Sequence, residues 1–528
     1  MPERHASIDI RKVVQLRTFK IDYRNVRVLD YVDRENLPPQ SFAQFRALVP
    51  PSTVAIDEQP RPTFPADLSH LQTFSATHFP QGRVLVLVNH DLYAGVRSSI
   101  DQYVRDLANE GYFATTYTVK GGAPADIRNF LKSEMPIVGA LMVGALPVAW
   151  FEMADDFDNS QSEFPCDLYY MDSNGTWNDP DGDGKFSEHP SGVEPEIWIG
   201  RLWTPSSGGN DVAQINDYFG RNHRYRTGRF GCSNKALAYV DDDWTGFDDC
   251  ALDSLFPASS IETIKDPVIT DGDRYKAEIN QHRAWAQICA HSSPGGHSFK
   301  VPGAASEWVP SSYLRDINPP DAYFYNLFAC SNARFTQADY MAGWYIFDKT
   351  GGSVCNGLAA VGSTKTGSML LFENFYDPMS KGRVIGDAFV AWWKALGSTH
   401  DLGERQWYYG LTLLGDPTIN WWTGAVPTLR APYDGDVFDH FPRRTTFQWD
   451  ALPVGGVTYN VEVDAFGAKV AGKWAAQANT TWLVSGSISD CAYEHLFVGA
   501  QRGRWRVRAR FGAIVCPWSD WRYFRYTV

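Results

Sequence analysis

The chain has 528 residues and a formal net charge of −13, with 48 Lys and Arg against 61 Asp and Glu. A nucleic-acid partner requires a basic footprint, so this balance excludes one, while an acidic field suits a cationic substrate. No apolar run reaches the roughly 18 residues that span a bilayer, so no membrane partner is expected. The opening MPERHASIDIRKVV lacks the apolar core of a secretory signal, which predicts a cytoplasmic chain unless the N-terminus is processed or exported by another route.

Residues 1–81 are polar and irregular and read as an N-terminal extension, with a short strand pair near 17–30. From 82 the pattern changes. RVLVLVNHD (83–91) is a continuous apolar run ending in polar residues, as a buried parallel strand should be. A helical stretch over 98–112, FATTYTV, a helix from PADIRNFLKSEM and the strand IVGALMVGAL (137–146) follow. This alternation predicts an α/β sheet over 82–424, in two subdomains that divide near 230.

Next comes NDPDGDGKFSEH (178–189), which opens like a calcium loop. Alternating carboxylates at Asp179, Asp181 and Asp183 point to one centre, and Gly184 permits a sharp turn. The twelfth position is Pro190, so Glu188, or Asp172 and Glu194 from the flanks, has to close the shell, with Lys185 inside the loop. The expected cofactor is a structural Ca²⁺; the alternative is a solvated acidic turn.

The alternation resumes with EIWIGRLW (196–203), a helix over about 209–227, KALAYV (235–240), WAQICAH (285–291), YFYNLFAC (323–330) and SVCNGLAAVG (353–362). Ligands bind open α/β sheets at the carboxyl ends of strands. His291 and Cys330 each end such a strand. A thiol nucleophile needs a base to form thiolate at neutral pH, and these two residues supply the pair. From 425 to 528 short alternating segments with turns between them predict a β-sandwich of immunoglobulin or fibronectin-III type. Eight cysteines occur without a CxxC pair, which argues against zinc; Cys491 and Cys516 could pair within the sandwich.

ACSNARF (329–335), SVCNGLAAVGST (353–364), GLTLLGDPT (410–418) and PEIWIGRLW (195–203) together resemble the gingipain family of cysteine peptidases. The resemblance implies a caspase-like, mostly parallel sheet flanked by helices, followed by an immunoglobulin-like module. It implies a protein or peptide substrate cleaved by a Cys–His dyad, with Cys330 as nucleophile and His291 as base. His297, in GGH (295–297), is the alternative base. In the same way Asp243, Asp249 and Ser363 are implied to contact substrate, with Asp243 or Asp249 holding an Arg or Lys side chain on the acyl side of the cleaved bond. The family has glycine on both sides of its histidine, where this chain has Ala290 and Ser292. That departure supports a second reading, an inactive caspase-like scaffold whose sandwich binds a protein or glycan.

Overall fold

A computed structural model of the chain describes residues 38–63, 81–227, 233–349, 355–421, 426–452, 457–465, 469–470, 473–474, 481–497, 502–511 and 514–527. The strand pair expected near 17–30 lies outside them. The chain divides into two compact units. One comprises 1–222, 233–379 and 384–419, and the other 223–232, 380–383 and 420–528. Among the described residues no helix is long and apolar enough to cross a membrane.

The first unit is built on an eleven-stranded sheet. Its strands are β1 (Ala55–Glu58), β2 (Gly82–Asn89), β3 (Tyr112–Lys120), β4 (Gly139–Val143), β5 (Trp198–Leu202), β6 (Ala236–Val240), β7 (Ile261–Ile264), β8 (Arg283–Cys289), β9 (Ala322–Phe328), β10 (Ala359–Ser363) and β11 (Leu411–Gly415). Their order across the sheet is β1-β3-β2-β4-β5-β11-β10-β9-β8-β6-β7. Strands before residue 230 occupy one half and β6–β10 the other, and β11 joins them. It runs parallel to β5 and antiparallel to β10. Each half is parallel within itself except for the antiparallel edge strand β1.

Burial explains the strand sequences. Val84–Val88 are fully buried, because helices cover both faces of a parallel sheet. The helix His90–Asn109 starts where the Asn89 side chain accepts the amides of Asp91 and Leu92. It then buries Leu92, Val96, Ile100, Tyr103 and Leu107 on one face. Part of the expected N-terminal extension belongs to this unit. Residues 55–58 form the edge strand, and Phe45 of the helix Phe42–Leu48 enters the core.

Among its described residues the second unit holds two larger sheets and a two-stranded ribbon, Lys469–Val470 with Lys473–Trp474. Strands Leu429–Ala431, Arg444–Trp449 and Ala492–Leu496 form one. The other runs Asp436–Phe438, Arg522–Tyr526, Arg502–Phe511, Val457–Ala465 and Thr481–Ile488. Phe447 of the first sheet packs on Trp505 and Phe524 of the second, with ring centroids 5.0 and 5.7 Å apart, so the sheets share a core. Along Arg502–Phe511, Trp505, Val507 and Ala509 are buried. The alternate arginines Arg504, Arg506 and Arg508 stack on Trp521 and Trp518. Cys491 and Cys516 are free thiols.

One strand end buries a carboxyl. Asp241 follows β6 and is fully buried. Its Oδ2 accepts the Lys300 amide at 3.1 Å. Burial pushes its carboxyl from the ordinary 3.8 up to about 8, and Asp242 and Asp243 add to the rise. The folded chain therefore holds this proton more tightly than the unfolded chain does. The contribution to stability is full below the unfolded value of 3.8 and is lost as pH rises toward about 8. Asp241→Asn should flatten the fall in stability over that window and raise the melting temperature at the alkaline end, read from thermal unfolding at a series of pH values. An unchanged pH profile would exclude a buried neutral Asp241.

Candidate active site

Three parallel strands end on one rung. Val240 of β6 lies opposite Cys289 of β8, and Cys289 opposite Phe328 of β9. The pairing continues one step further, since the Ala290 amide donates to the Phe328 carbonyl at 3.1 Å. Neighbouring strands lie about 4.8 Å apart. His291 and Cys330 are each two residues past that rung, and Asp243 is three past Val240. The sheet thus delivers all three residues to one edge.

His291 opens a short strand, His291–Ser293, which folds back on Gly296–Phe299. A Cβ at Gly296 would meet the Val309 carbonyl at 2.5 Å, so only glycine fits this turn. Ser292 lies opposite His297, and His291 opposite Ser298. Alternation therefore sends the two histidines to opposite faces. His291 is almost buried, and its Nε2 meets Asp243 Oδ2 at 2.7 Å. The Lys300 ammonium reaches the same oxygen at 2.5 Å. Burial pushes Asp243 up, but its bonds to His291 and Lys300 outweigh that and leave it below the ordinary carboxylate range. Trp244 packs on the His291 ring, with centroids 4.6 Å apart.

His297 has a different setting. It is fully buried against Tyr275, Phe299 and Tyr345, and its Nε2 meets the Tyr345 hydroxyl at 2.8 Å. Burial lowers its pKa to about 3 and keeps it neutral. It is a core residue, away from the face that His291 presents.

Cys330 is partly exposed, whereas Cys166, Cys250, Cys289 and Cys355 of the same unit are buried. Burial pushes the Cys166, Cys250 and Cys355 thiols up, which makes them poor nucleophiles. The turn after Cys330 is tight. Ser331 has φ +56°, a left-handed conformation that a non-glycine residue holds only when its surroundings fix it. Its amide donates to the Lys365 carbonyl at 2.8 Å, and the Ala333 amide to the Ser363 carbonyl at 2.9 Å. The end of β10 lies so close that a Cβ at Gly362 would stand 2.5 Å from Asn332 Oδ1.

The remaining expected residues separate. Ser363 is fully buried, and its hydroxyl donates to the Lys365 carbonyl at 2.9 Å, within its own turn. Asp249 is half-buried and accepts the Ala251 amide at 3.1 Å. Burial pushes its carboxyl up, and the charges of Asp253 and Asp248 add to that.

The acidic loop differs from the expected ligand set. Asp181 and Asp183 come together with Glu152, with one carboxylate oxygen from each within 4.8 Å of the others. Asp179 instead accepts the Gly182 and Gly184 amides at 2.8 and 2.9 Å. Glu188 accepts from the Asn178 amide side chain. Asp172 is fully buried elsewhere, bonded to His189, Trp177 and the Gly175 amide. The Lys185 side chain cannot be a ligand, because its ammonium sits on Glu152, Asp183 and Glu163 at 2.7, 2.8 and 2.9 Å. Three converging carboxylates fit a hard cation such as Ca²⁺, which would compete with that ammonium.

Several residues beside the site carried no signal in the sequence. Lys300 reaches Asp243 from the hairpin that follows His291. Lys365, buried within electrostatic reach of Cys330, pairs with Asp156 at 2.9 Å. Arg334, four residues past Cys330, is buried and bonded to three separate segments. Each partnership joins distant parts of the chain, and no local spacing announces it.

The family model for peptidase family C25 matches residues 62–422. No curated protein matches the chain. Among solved structures, the chain is similar to an Fn3-like protein from Clostridium thermocellum, at 23% identity over 20% of this chain and 94% of that one, with a TM-score of 0.13. It is also similar to the fibronectin type-III domain of human fibronectin type III domain containing protein 3, at 13% identity over 19% and 84%, TM-score 0.13. A third similarity is to the chicken CNTN1 FN1-FN3 domains, at 20% identity over 19% and 34%, TM-score 0.13. The family match takes in most of the chain and the whole of the edge that carries His291 and Cys330. The chain belongs to peptidase family C25, the gingipain family of cysteine peptidases, whose substrates are proteins or peptides.

Proposed function

We propose that the chain cleaves peptide bonds with Cys330 as nucleophile, His291 as base and Asp243 as the carboxylate that orients His291. The observation that carries this reading is the shared rung of β6, β8 and β9, combined with the 2.7 Å contact between His291 Nε2 and Asp243. With Nε2 held by the carboxylate, Nδ1 is the nitrogen that exchanges a proton with the thiol.

His291 takes the proton from Cys330 Sγ, and the sulfur attacks the scissile carbonyl carbon. The C–N bond then breaks, and the imidazolium gives its proton to the leaving amine. Water, deprotonated by His291, attacks the thioester carbon. The C–S bond breaks, the acid product leaves, and Cys330 regains a proton. Asp243 stabilises the imidazolium in both halves, a role that requires it to stay ionised. Its depressed pKa supports that.

Because Asp243 is engaged by His291 and Lys300, Asp249 is the carboxylate assigned to a basic side chain at the cleaved bond. It is half-buried and pressed by the charges of Asp253 and Asp248, and a guanidinium or ammonium would relieve that repulsion. Ca²⁺ is proposed on Glu152, Asp181 and Asp183 as a structural ion that neutralises their mutual repulsion.

Cys330→Ala should abolish both peptide hydrolysis and thiol alkylation at the edge, and full activity in this variant sinks the assignment. Asp243→Asn should lower kcat by about 10²-fold or more while KM changes little, since general-base catalysis contributes on that scale. A peptide library should show cleavage after Arg or Lys, lost in Asp249→Asn; preference for apolar residues refutes the Asp249 role. Chelation with EGTA should lower the melting temperature, and equal melting with and without EGTA counts against the metal.

A further inference from the structure

Arg334 lies in the turn that follows Cys330, and its guanidinium is buried. Nη1 donates to the Thr364 carbonyl at 3.0 Å, next to the end of β10. Nη2 donates to the Glu163 carbonyl at 2.7 Å, in the hairpin made by Trp150–Asp156 and Ser160–Pro165. Nε donates at 3.1 Å to the carbonyl of Gln40, which Nη2 also reaches. The guanidinium faces the Trp150 ring, 5.1 Å from its centroid.

Gln40 lies in a short strap, residues 38–48. Its amide donates to Gln337 Oε1 at 2.9 Å, so the strap is bonded twice to the segment after Cys330. The Phe42 amide donates to Glu163 Oε1 at 2.7 Å. Phe42 and Phe45 each pack on Trp150, with centroids 5.5 Å apart. Ser41 caps the helix through a reciprocal bond with Gln44. The strap lies outside the residues that match the family model.

A buried guanidinium that loses its acceptors carries the full penalty of the unmade bonds. The left-handed Ser331 beside the nucleophile persists only while its surroundings over-determine it. We propose that residues 38–48 act as a positioning strap, which through Arg334 fixes the turn that presents the Cys330 thiol. The proposal rests on Cys330 as the nucleophile. Arg334 is a positioning residue and touches no reacting atom.

The test uses the full chain, with Arg334→Lys, a Phe42→Ala/Phe45→Ala double variant and the combination of both. The readouts are kcat and KM on a peptide substrate, the iodoacetamide alkylation rate at Cys330, and thermal unfolding. Arg334→Lys keeps the buried charge but loses the planar fork. Each variant should lower kcat about tenfold, because small misplacements of reacting groups cost that much or more. Alkylation should slow in parallel, while KM stays near wild type. The combined variant should fall no further than the worse of the two, since both loosen the same link between the strap and the turn after Cys330. Where the phenylalanine variant does not fold, Arg334→Lys and Gln337→Ala carry the test, the latter with a smaller loss in the same direction. Wild-type kcat and alkylation in folded variants overturn the proposal, as do multiplicative losses. A rise in kcat overturns it as well, since that would make the strap an inhibitor. If Cys330→Ala leaves hydrolysis intact, the site assignment fails and the strap's role fails with it. If Cys330→Ala abolishes hydrolysis and the strap variants are neutral, only the strap's role fails.

Discussion

Everything at the active edge depends on one rung of the sheet, where Val240, Cys289 and Phe328 stand side by side on three parallel strands. Parallel register is set by buried side chains on both faces, and β6, β8 and β9 are buried along their whole length. A slip of one residue in β9 would turn Leu327 and Phe328 to the wrong faces. It would also move Cys330 by more than 3 Å relative to His291, by the rise of an extended chain. The core therefore sets the geometry of this edge, and the loops inherit it.

Electrostatics then separate groups that are chemically alike. Four cysteines of the catalytic unit are sunk in the core, and Cys330 is the partly exposed one among its described residues. Two histidines six residues apart diverge in the same way. Hairpin alternation sends His297 among aromatic rings, where burial keeps it neutral, and sends His291 to a carboxylate. Three consecutive aspartates also differ. Asp241 is buried and pushed toward neutrality, Asp242 meets the Thr270 hydroxyl, and Asp243 is held below the ordinary carboxylate range by its bonds to His291 and Lys300.

What could be read from the sequence follows the range of the interactions. The β2 run VLVLV and the strand endings at His291 and Cys330 are local, and they led to the sheet and to its edge. The aspartates after β6 were visible as a cluster, but their division of labour was not, because it depends on Lys300 and on the depth of each carboxylate. The calcium-like loop shows the same limit. Its spacing was legible, yet Glu152 joins it from another hairpin, and Asp172 is drawn into a buried network with His189. Ser363 came from the family resemblance alone, while its hydroxyl closes its own turn. The sheet order was out of reach, since β11 joins two halves whose strands are far apart in the chain.

The residues flanking His291 show how this chain departs from its family without losing the edge. Glycine beside a histidine is required only where the backbone enters a left-handed conformation or something approaches closely. Neither condition holds at 290 or 292. The Ala290 amide continues the parallel pairing to Phe328, and Ser292 sits in a paired strand opposite His297. No residue from 290 to 293 has a positive φ. A left-handed position lies instead at Ser331, where backbone bonds to Lys365 and the turn that carries Arg334 hold it. Left-handed backbone thus occurs beside the thiol and in the loop after β6, at Asp248, Cys250 and Ala251, while the histidine rides on ordinary strand.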